Sequence, residues 1–309
     1  MAEPTRQLAI AEFLHRLAHA PAALLVLDYD GTLAPFQRER MEARPYPGVL
    51  ARLARLGQLA RTQQQFCLPA DLQCGFVLLS GRPADEVAEL LRPLEGFAVH
   101  GAHGLELRRA DGSRHRLPLA PADAAALGAA EQRMQAALQQ TALPGVELEC
   151  KPGGVALHWR GLASAAASEE QQEHATDTTA LAALARQLWE PLLAGSSLRL
   201  LPFDGGLELR VTRPDKGDAL RTILDGLPEN ACVAYLGDDQ TDEDAFLALQ
   251  AAGARGLGVL VRAERRPTAA HAWVEPPDGL LAFLDAYRNA HPAANPAANL
   301  AVGQTSPKA

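Results

Sequence analysis

Asp28 and Asp30 stand two residues apart in LLVLDYDGTLAPF, where an apolar run suited to a buried strand breaks into carboxylates and then Gly31 and Thr32. A strand that only had to pack would not end that way. Further along, Ser80 ends FVLLS, Lys216 opens KGDALRTILDGL, and Asp238 and Asp239 end CVAYLGDD. Four carboxylates brought together repel, and either take up protons or bind a cation. Oxygen ligands with few competing nitrogens or sulfurs favour Mg2+, which keeps waters and takes one or two carboxylates plus a substrate phosphate. Phosphoryl transfer is the chemistry such a set performs. One aspartate can attack phosphorus while the other gives and takes protons, and an ammonium and a hydroxyl suit the phosphoryl oxygens. Rival solutions lack their marks: there is no GxxxxGKS or GxxxxGKT loop, and no cysteine is followed six positions later by arginine.

These residues are scattered along the chain, so the elements between them must gather them. AALLVLDYD, FVLLSGRP, CVAYLGDD and GLGVLV read as buried strands. They alternate with amphipathic patterns: Ile10, Phe13, Leu14, Leu17; Leu50, Leu53, Leu56, Leu59; Val87, Leu90, Leu91, Leu94; and Leu220, Ile223, Leu224, Leu227. Thr241 suits the N-cap of a further helix, TDEDAFLALQAAG. Such alternation predicts a Rossmann-like α/β core, with a parallel sheet covered by helices on both faces. In that fold the strand ends meet at one edge, where ligands bind.

Between residues 108 and 212 the texture changes. VELECKPGGVALHWR and LRLLPFDGGLELRVT read as strands joined by Gly-rich turns, beside two helical stretches, ADAAALGAAEQRMQAALQQ and TALAALARQLWEPLLA. This predicts an α+β unit inserted into the core, which would occupy residues 1–107 and 213–290. SAAASEEQQEHATDT reads as a polar excursion, TQQQFCLPADLQCG as a loop, and residues 291–309 as a disordered tail.

The 309 residues are 48% hydrophobic and carry a net charge of −8, enough for a sizeable core and without a basic footprint for nucleic acid. Cys67, Cys74, Cys150 and Cys232 form no CxxC pair and read as ordinary thiols of a reducing compartment. The N-terminal stretch reads as an amphipathic helix and not a signal peptide, and no apolar run is long enough to span a bilayer. A cytoplasmic chain without a membrane partner is the expectation; a monomer is compatible with it, with oligomeric state left open.

Taken in order, DYDGTL at Asp28, LLSGR at Ser80, Lys216 and GDDQTDED at Gly237 resemble the motifs of the haloacid dehalogenase (HAD) superfamily of phosphohydrolases. More narrowly, DYDGTLAPF, HGAHGLE, ELECKPGGVALHWR, GGLELRVTRPDKGDAL and GDDQTDEDAF are similar to the trehalose-6-phosphate phosphatase family. The likeness covers nearly the whole chain except the first twenty residues, the polar excursion and the tail. It implies a HAD core with a C2-type cap, Asp28 as nucleophile and Asp30 as general acid/base. Ser80 and Lys216 would act on the phosphoryl group. Mg2+ would be held by Asp28, the Asp30 carbonyl and Asp238, with Asp239 as a further or indirect ligand. Glu149, Lys151 and Glu208 of the cap would hold sugar hydroxyls, and Thr32, Gly81, Arg82 and His103 would line the substrate site. The spacer 161–178 departs from the family by its length and polarity.

Plainer roles stand beside these. Ser80 could cap the helix near Pro83. Lys216 alone would be a solvated lysine, and Glu149 with Lys151 a solvated charged face. His100 and His103 serve either a tight turn or the seam between core and cap. His158 reads as a packed strand residue, Trp159 and Trp189 as cap core, and His15 with His19 as structural. The function these readings point to is Mg2+-dependent hydrolysis of a sugar phosphate, trehalose 6-phosphate above all. The rivals are a phosphatase for sucrose phosphate or glucosylglycerol phosphate, a phosphomutase, and a non-catalytic sugar-phosphate sensor.

Overall fold

The computed structural model describes residues 3–37, 39–62, 68–140, 145–159, 171–203 and 205–294. Residues up to His115 together with those from Asp215 onward form one compact unit, and Arg116–Pro214 form a second.

The first unit is built on an eight-stranded sheet in the order β12-β11-β10-β1-β2-β3-β4-β5. Its strands are β1 (Ala23–Leu27), β2 (Phe76–Leu79), β3 (Ala98–Gly101), β4 (Glu106–Arg108), β5 (Arg114–Arg116), β10 (Cys232–Gly237), β11 (Gly256–Val261) and β12 (Ala272–Val274). All pairs from β12 through β3 are parallel, and β4 turns back antiparallel on β3. The apolar runs are explained by burial on both faces. Leu25 and Leu27 enter one core with α1 (Glu3–Leu17), α2 (Val49–Thr62), α3 (Ala84–Leu90) and α8 (Asp278–Ala290). Leu24 and Val26 enter the other with α6 (Lys216–Asp225) and α7 (Glu243–Ala251). Strand order reverses between β1 and β10, and in doubly wound sheets the crevice beyond that reversal is where ligands sit.

The second unit is a four-stranded antiparallel sheet in the order β6-β7-β9-β8, formed by β6 (Glu147–Lys151), β7 (Gly154–His158), β9 (Gly206–Val211) and β8 (Leu198–Phe203). Helices α4 (Pro121–Gln140) and α5 (Gln171–Trp189) pack on it. Leu157, Leu209 and Trp189 are fully buried there, and Trp189 donates from Nε1 to the Ala130 carbonyl. Trp159 is half-buried.

Several expectations change. Residues 108–115 lie with the large sheet, because the β4–β5 hairpin extends it, so the inserted unit starts later than the change of texture suggests. Residues 171–178, expected as part of a polar excursion, are the first turns of α5. The helix expected through Leu94 ends at Leu90. The expected tail is ordered through Ala294, where His291, Pro292 and Ala293 are buried against the core. Thr241 is not an N-cap; Asp242 stands at the N-cap of α7, and Asp239 caps the short 3-10 turn before it, its side chain accepting from the Gln240 N–H. Residues 160–170, Cys67 with most of TQQQFC, and residues 295–309 lie outside the described residues. Among the described residues, no helix is long and apolar enough to cross a membrane.

His291 offers a stability test. Its ring packs on Tyr287 and its Nδ1 accepts from the Ala293 N–H at 3.1 Å. Burial holds its pKa down to about 4, against an ordinary 6.5. The unfolded chain therefore binds a proton between those values that the folded chain refuses. This contribution is whole above about pH 6.5 and is lost as pH falls towards 4, up to about 3 kcal/mol. In His291→Asn, which keeps an acceptor for Ala293, chemical denaturation should show a shallower fall in stability across that window than in the parent.

Candidate active site

Parallel register places Leu27 opposite Leu236 and Leu78, so Asp28, Asp238 and Ser80 leave neighbouring strands at the same edge. Asp28 continues the pairing by donating its N–H to the Leu236 carbonyl at 2.9 Å. The chain then turns at Gly31, whose φ of +75° is the left-handed region open to glycine. A Cβ there would stand 2.0 Å from Asp238 Oδ2, so the close approach of these two loops also demands glycine.

Lys216 arrives from a different element. Asp215 caps α6 in a reciprocal box with Asp218: the Asp218 N–H donates to the Asp215 carboxylate at 2.8 Å, and the Asp215 N–H donates to Asp218 at 3.2 Å. Lys216 is thereby fixed in the first turn and is 3% exposed. Its ammonium donates to Asp28 Oδ1 at 2.7 Å and to Asp242 Oδ1 at 2.6 Å. Thr32 Oγ1 donates to Asp28 Oδ2 at 3.3 Å.

Asp242 escaped the sequence reading. It is fully buried and accepts from four donors: Lys216, the Tyr235 hydroxyl, and the N–H groups of Asp238 and Asp239 at 3.0 and 2.9 Å. The signal was present in GDDQTDED, but an acid at the head of a helix reads as a dipole-favoured surface residue. Asp239, expected as a ligand, is spent on the cap. One carboxylate oxygen from each of Asp28, Asp238 and Asp242 lies within 4.8 Å of the others, a spacing that could hold a metal ion. Because the Asp242 oxygens are already saturated with donors, Asp28 and Asp238 keep the capacity to ligate. Hard oxygen donors without nitrogen or sulfur fit a divalent cation such as Mg2+.

The electrostatics agree. Burial pushes Asp28 up to about 7 against the pull of Lys216, with Asp242 and Asp30 adding to the rise. Burial, then Asp28, Asp242 and Asp239, hold Asp238 well above the usual carboxylate range. Burial alone would lower Lys216, but Asp242 and Asp28 outweigh it and its pKa is raised, so the ammonium stays charged.

Asp30 and Arg82 form a closed fork. Arg82 Nε and Nη2 each donate to an Asp30 oxygen at 2.6 Å, and Nη1 donates to the Arg40 carbonyl at 2.8 Å. Arg82, expected to bind substrate, thus has its guanidinium occupied. Ser80 is buried and its Oγ accepts from the Arg82 N–H at 3.2 Å; it does not cap α3, whose first N–H, of Ala84, donates to Glu106 at 3.2 Å. His103 is buried with φ of +57° and its ring lies over Gly81, where a Cβ would meet it at 2.8 Å. His100 lies in β3, and burial lowers it to about 4.

The second unit carries its own charged cluster. Register places Glu149, Lys151, Ala156, His158, Gly206, Glu208 and Arg210 on one face of its sheet. Lys151 Nζ lies 2.8 Å from Glu208 Oε1, Arg210 Nε 3.9 Å from Glu208 Oε2, and His158 Nε2 2.8 Å from Glu149 Oε2. Glu149, Glu208 and Arg210 are buried, which is not a solvated face. Burial disfavours the Lys151 cation, but Glu208 and Glu149 raise its pKa and keep it charged. Arg210 was missed by the sequence reading, although its spacing from Glu208 puts both on one side of the strand.

In fold, the molecule resembles several solved structures. It matches the C-terminal domain of Candida albicans trehalose-6-phosphate phosphatase with a TM-score of 0.66 at 18% identity, over 91% of this chain and 96% of that one. An Aspergillus fumigatus trehalose-6-phosphate phosphatase matches at 0.55 and 24%, over 91% and 97%. A Bacteroides thetaiotaomicron phosphatase of the haloalkanoate (HAD) superfamily matches at 0.50 and 17%, over 86% and 95%. The trehalose-phosphatase family model matches residues 26–275, and the chain belongs to that family. It is 31% identical over 274 residues to the trehalose-phosphate phosphatase of Mycobacterium marinum, covering 85% of this chain and 60% of that protein. The Mycolicibacterium paratuberculosis protein of the same name is 33% identical over 243 residues, covering 76% and 53%. The chain spans just over half the length of these curated relatives.

Protons and a divalent cation should compete for Asp28 and Asp238. Added Mg2+ should raise the thermal midpoint by several degrees at pH 8, about 2.7 kcal/mol at a hundredfold excess over Kd. At pH 5 the rise should be much smaller. Gly31→Ala, which drives a methyl group into Asp238, should lose most of the response at pH 8.

Proposed function

We propose that this chain is a Mg2+-dependent phosphatase that hydrolyses trehalose 6-phosphate to trehalose and phosphate through a phosphoryl group carried on Asp28. The observation that carries this reading is the buried Asp28 carboxylate, shared between Lys216 and Thr32 and set beside Asp238 at the switch point of the sheet. Membership of the trehalose-phosphatase family supports the reaction class.

Asp28 and Asp238 would hold Mg2+, which when bound would supply positive charge to the phosphoryl oxygens and favour the ionised Asp28 carboxylate. An Asp28 oxygen then attacks phosphorus in line as the bond to the sugar oxygen breaks, and Asp30 protonates that departing oxygen. In the second half Asp30, now a carboxylate, takes a proton from water; the water oxygen attacks phosphorus, and the Asp28 carboxylate is regenerated with release of phosphate. Asp30 must leave the Arg82 fork to do this, so Arg82 acts here as a holder of Asp30 between turnovers. Lys216 spreads positive charge towards Asp28 while fixing its rotamer through Asp242. The Ser80 hydroxyl has its oxygen accepting from Arg82 N–H and can donate to a phosphoryl oxygen. In the role of a cap, the second unit supplies Glu149 and Glu208 to accept from sugar hydroxyls and Lys151 to donate to them.

Phosphate release from a panel of sugar phosphates, with Mg2+ or with chelator, tests the reading. Trehalose 6-phosphate should give the highest kcat/KM, and chelation should abolish turnover. Preference for another glycosyl phosphate would replace the substrate, and transfer to a second sugar would mean a mutase. Asp28→Asn should lower phosphate release by at least about a thousandfold with the thermal midpoint nearly kept. Glu208→Ala should raise KM for the sugar phosphate far more than for p-nitrophenyl phosphate, and equal effects on both would remove Glu208 from the sugar site.

A further inference from the structure

The polar face of the second sheet contains an aromatic ring that its charged neighbours do not explain. Along β8 the residues opposite Arg210, Glu208 and Gly206 are Arg199, Leu201 and Phe203, so the strand adds one cation and then two apolar groups to the face that holds Glu149, Lys151, Glu208 and Arg210. The apolar core of this unit lies on the other side, with Leu198, Leu207, Leu209 and Val211. Phe203 is therefore outside the core and only partly buried.

Its position is tightly specified. A Cβ on Gly206 would lie 2.0 Å from Phe203 Cζ and 2.5 Å from Cε2, so the ring rests directly on the glycine backbone. The His158 ring meets it edge to face, with centroids 5.0 Å apart and planes at 60°. The same imidazole is 2.8 Å from Glu149 Oε2. Phenyl ring, imidazole and carboxylate are thus braced in series from β8, across Gly206 of β9, to β7 and β6.

A pyranose has a rim of hydroxyls and faces made of C–H groups. Carboxylates and an ammonium satisfy the rim, and the negative face of an aromatic ring attracts the polarised C–H groups while excluding water from them. We propose that Phe203 is the stacking platform for a sugar ring, and so determines specificity for the saccharide part of the substrate. This rests on the assignment of Glu149 and Glu208 to sugar hydroxyls. Gly206 is required because any side chain there would lift the ring, and His158 is a positioning residue that couples the ring to Glu149.

A ring over glycine can also serve only to cover backbone, so the test must separate the two roles. Phe203→Ala should raise KM for trehalose 6-phosphate about tenfold, equivalent to about 1.4 kcal/mol, with kcat within about twofold. KM for p-nitrophenyl phosphate should not move. Phe203→Tyr and Phe203→Trp should retain the parent KM, whereas Phe203→Leu, which keeps apolar cover without an aromatic face, should behave like Phe203→Ala. An unchanged saccharide KM in Phe203→Ala, or full rescue by leucine, overturns the proposal. Calorimetric titration of the parent and Phe203→Ala with neutral trehalose, and with sucrose and maltose, separates this from the assigned reaction. If the parent hydrolyses no disaccharide phosphate, the reaction assignment falls. Disaccharide binding that is lost in Phe203→Ala still sustains the platform, and absence of any saccharide binding by the parent removes it.

Discussion

The ammonium of Lys216, 2.7 Å from Asp28 and 2.6 Å from Asp242, holds together charges that would otherwise drive the switch point apart. Two carboxylates at the 4.8 Å limit of this cluster repel by about 3–4 kcal/mol at an effective dielectric of 20. Each also carries a desolvation cost that only close donors offset. Asp242 is offset in full, by an ammonium, a phenol and two backbone N–H groups. Asp28 and Asp238 are not, and the rise of both their pKa values records the remaining deficit of positive charge. That deficit makes the site receptive to a cation and a transferring phosphoryl group.

The surrounding backbone is shaped to keep this cluster tight. Gly31 lets the first loop pass against the Asp238 carboxylate, and Gly237 does the same beneath Asp242, where a Cβ would meet Cγ at 2.4 Å. Two aspartate capping boxes, Asp215 with Asp218 and Asp239 with Asp242, fix the two turns that deliver Lys216 and Asp242. Arg266 closes the fourth-motif loop from outside, donating to the Asp239 carbonyl at 2.7 Å and to Glu243. The capping boxes and Arg266 satisfy helix-end donors and loop carbonyls that burial would otherwise leave unpaired.

The second unit solves a different problem with the period of a strand. One face of its sheet is given to leucine and valine against α4 and α5, and the other mainly to acids and bases, with Ala156, Leu201 and Phe203 among them. Buried pairs such as Lys151 with Glu208 are poor sources of stability, since desolvation consumes much of the Coulomb gain. Their retention on one face, next to His158 and Phe203, fits a surface made for a polar ligand with an apolar side.

Some of this was legible residue by residue. The apolar runs before Asp28, Ser80 and Asp238 named three of the parallel strands and the edge where their ends meet, because a strand buried on both faces must be apolar throughout. Alternation in ELECK and GLELR named the second sheet. By contrast β3, β12 and the β4–β5 hairpin are short elements of three or four residues per strand, whose residues are chosen by their neighbours and not by local propensity. Asp242 and Asp239 could not be told apart for the same reason. Their sequence places both at the head of a helix, and only the approach of Lys216 and Tyr235 from distant segments decides which one is buried with four donors and which one caps a turn. The fork between Asp30 and Arg82 and the Phe203 ring over Gly206 likewise depend on contacts between strands and loops. The sequence by itself therefore determined which chemical groups are present and which strand ends carry them. Tertiary structure decided which of those groups are bound to one another and which remain open to a ligand, because hydrogen bonding and desolvation depend on neighbours in space.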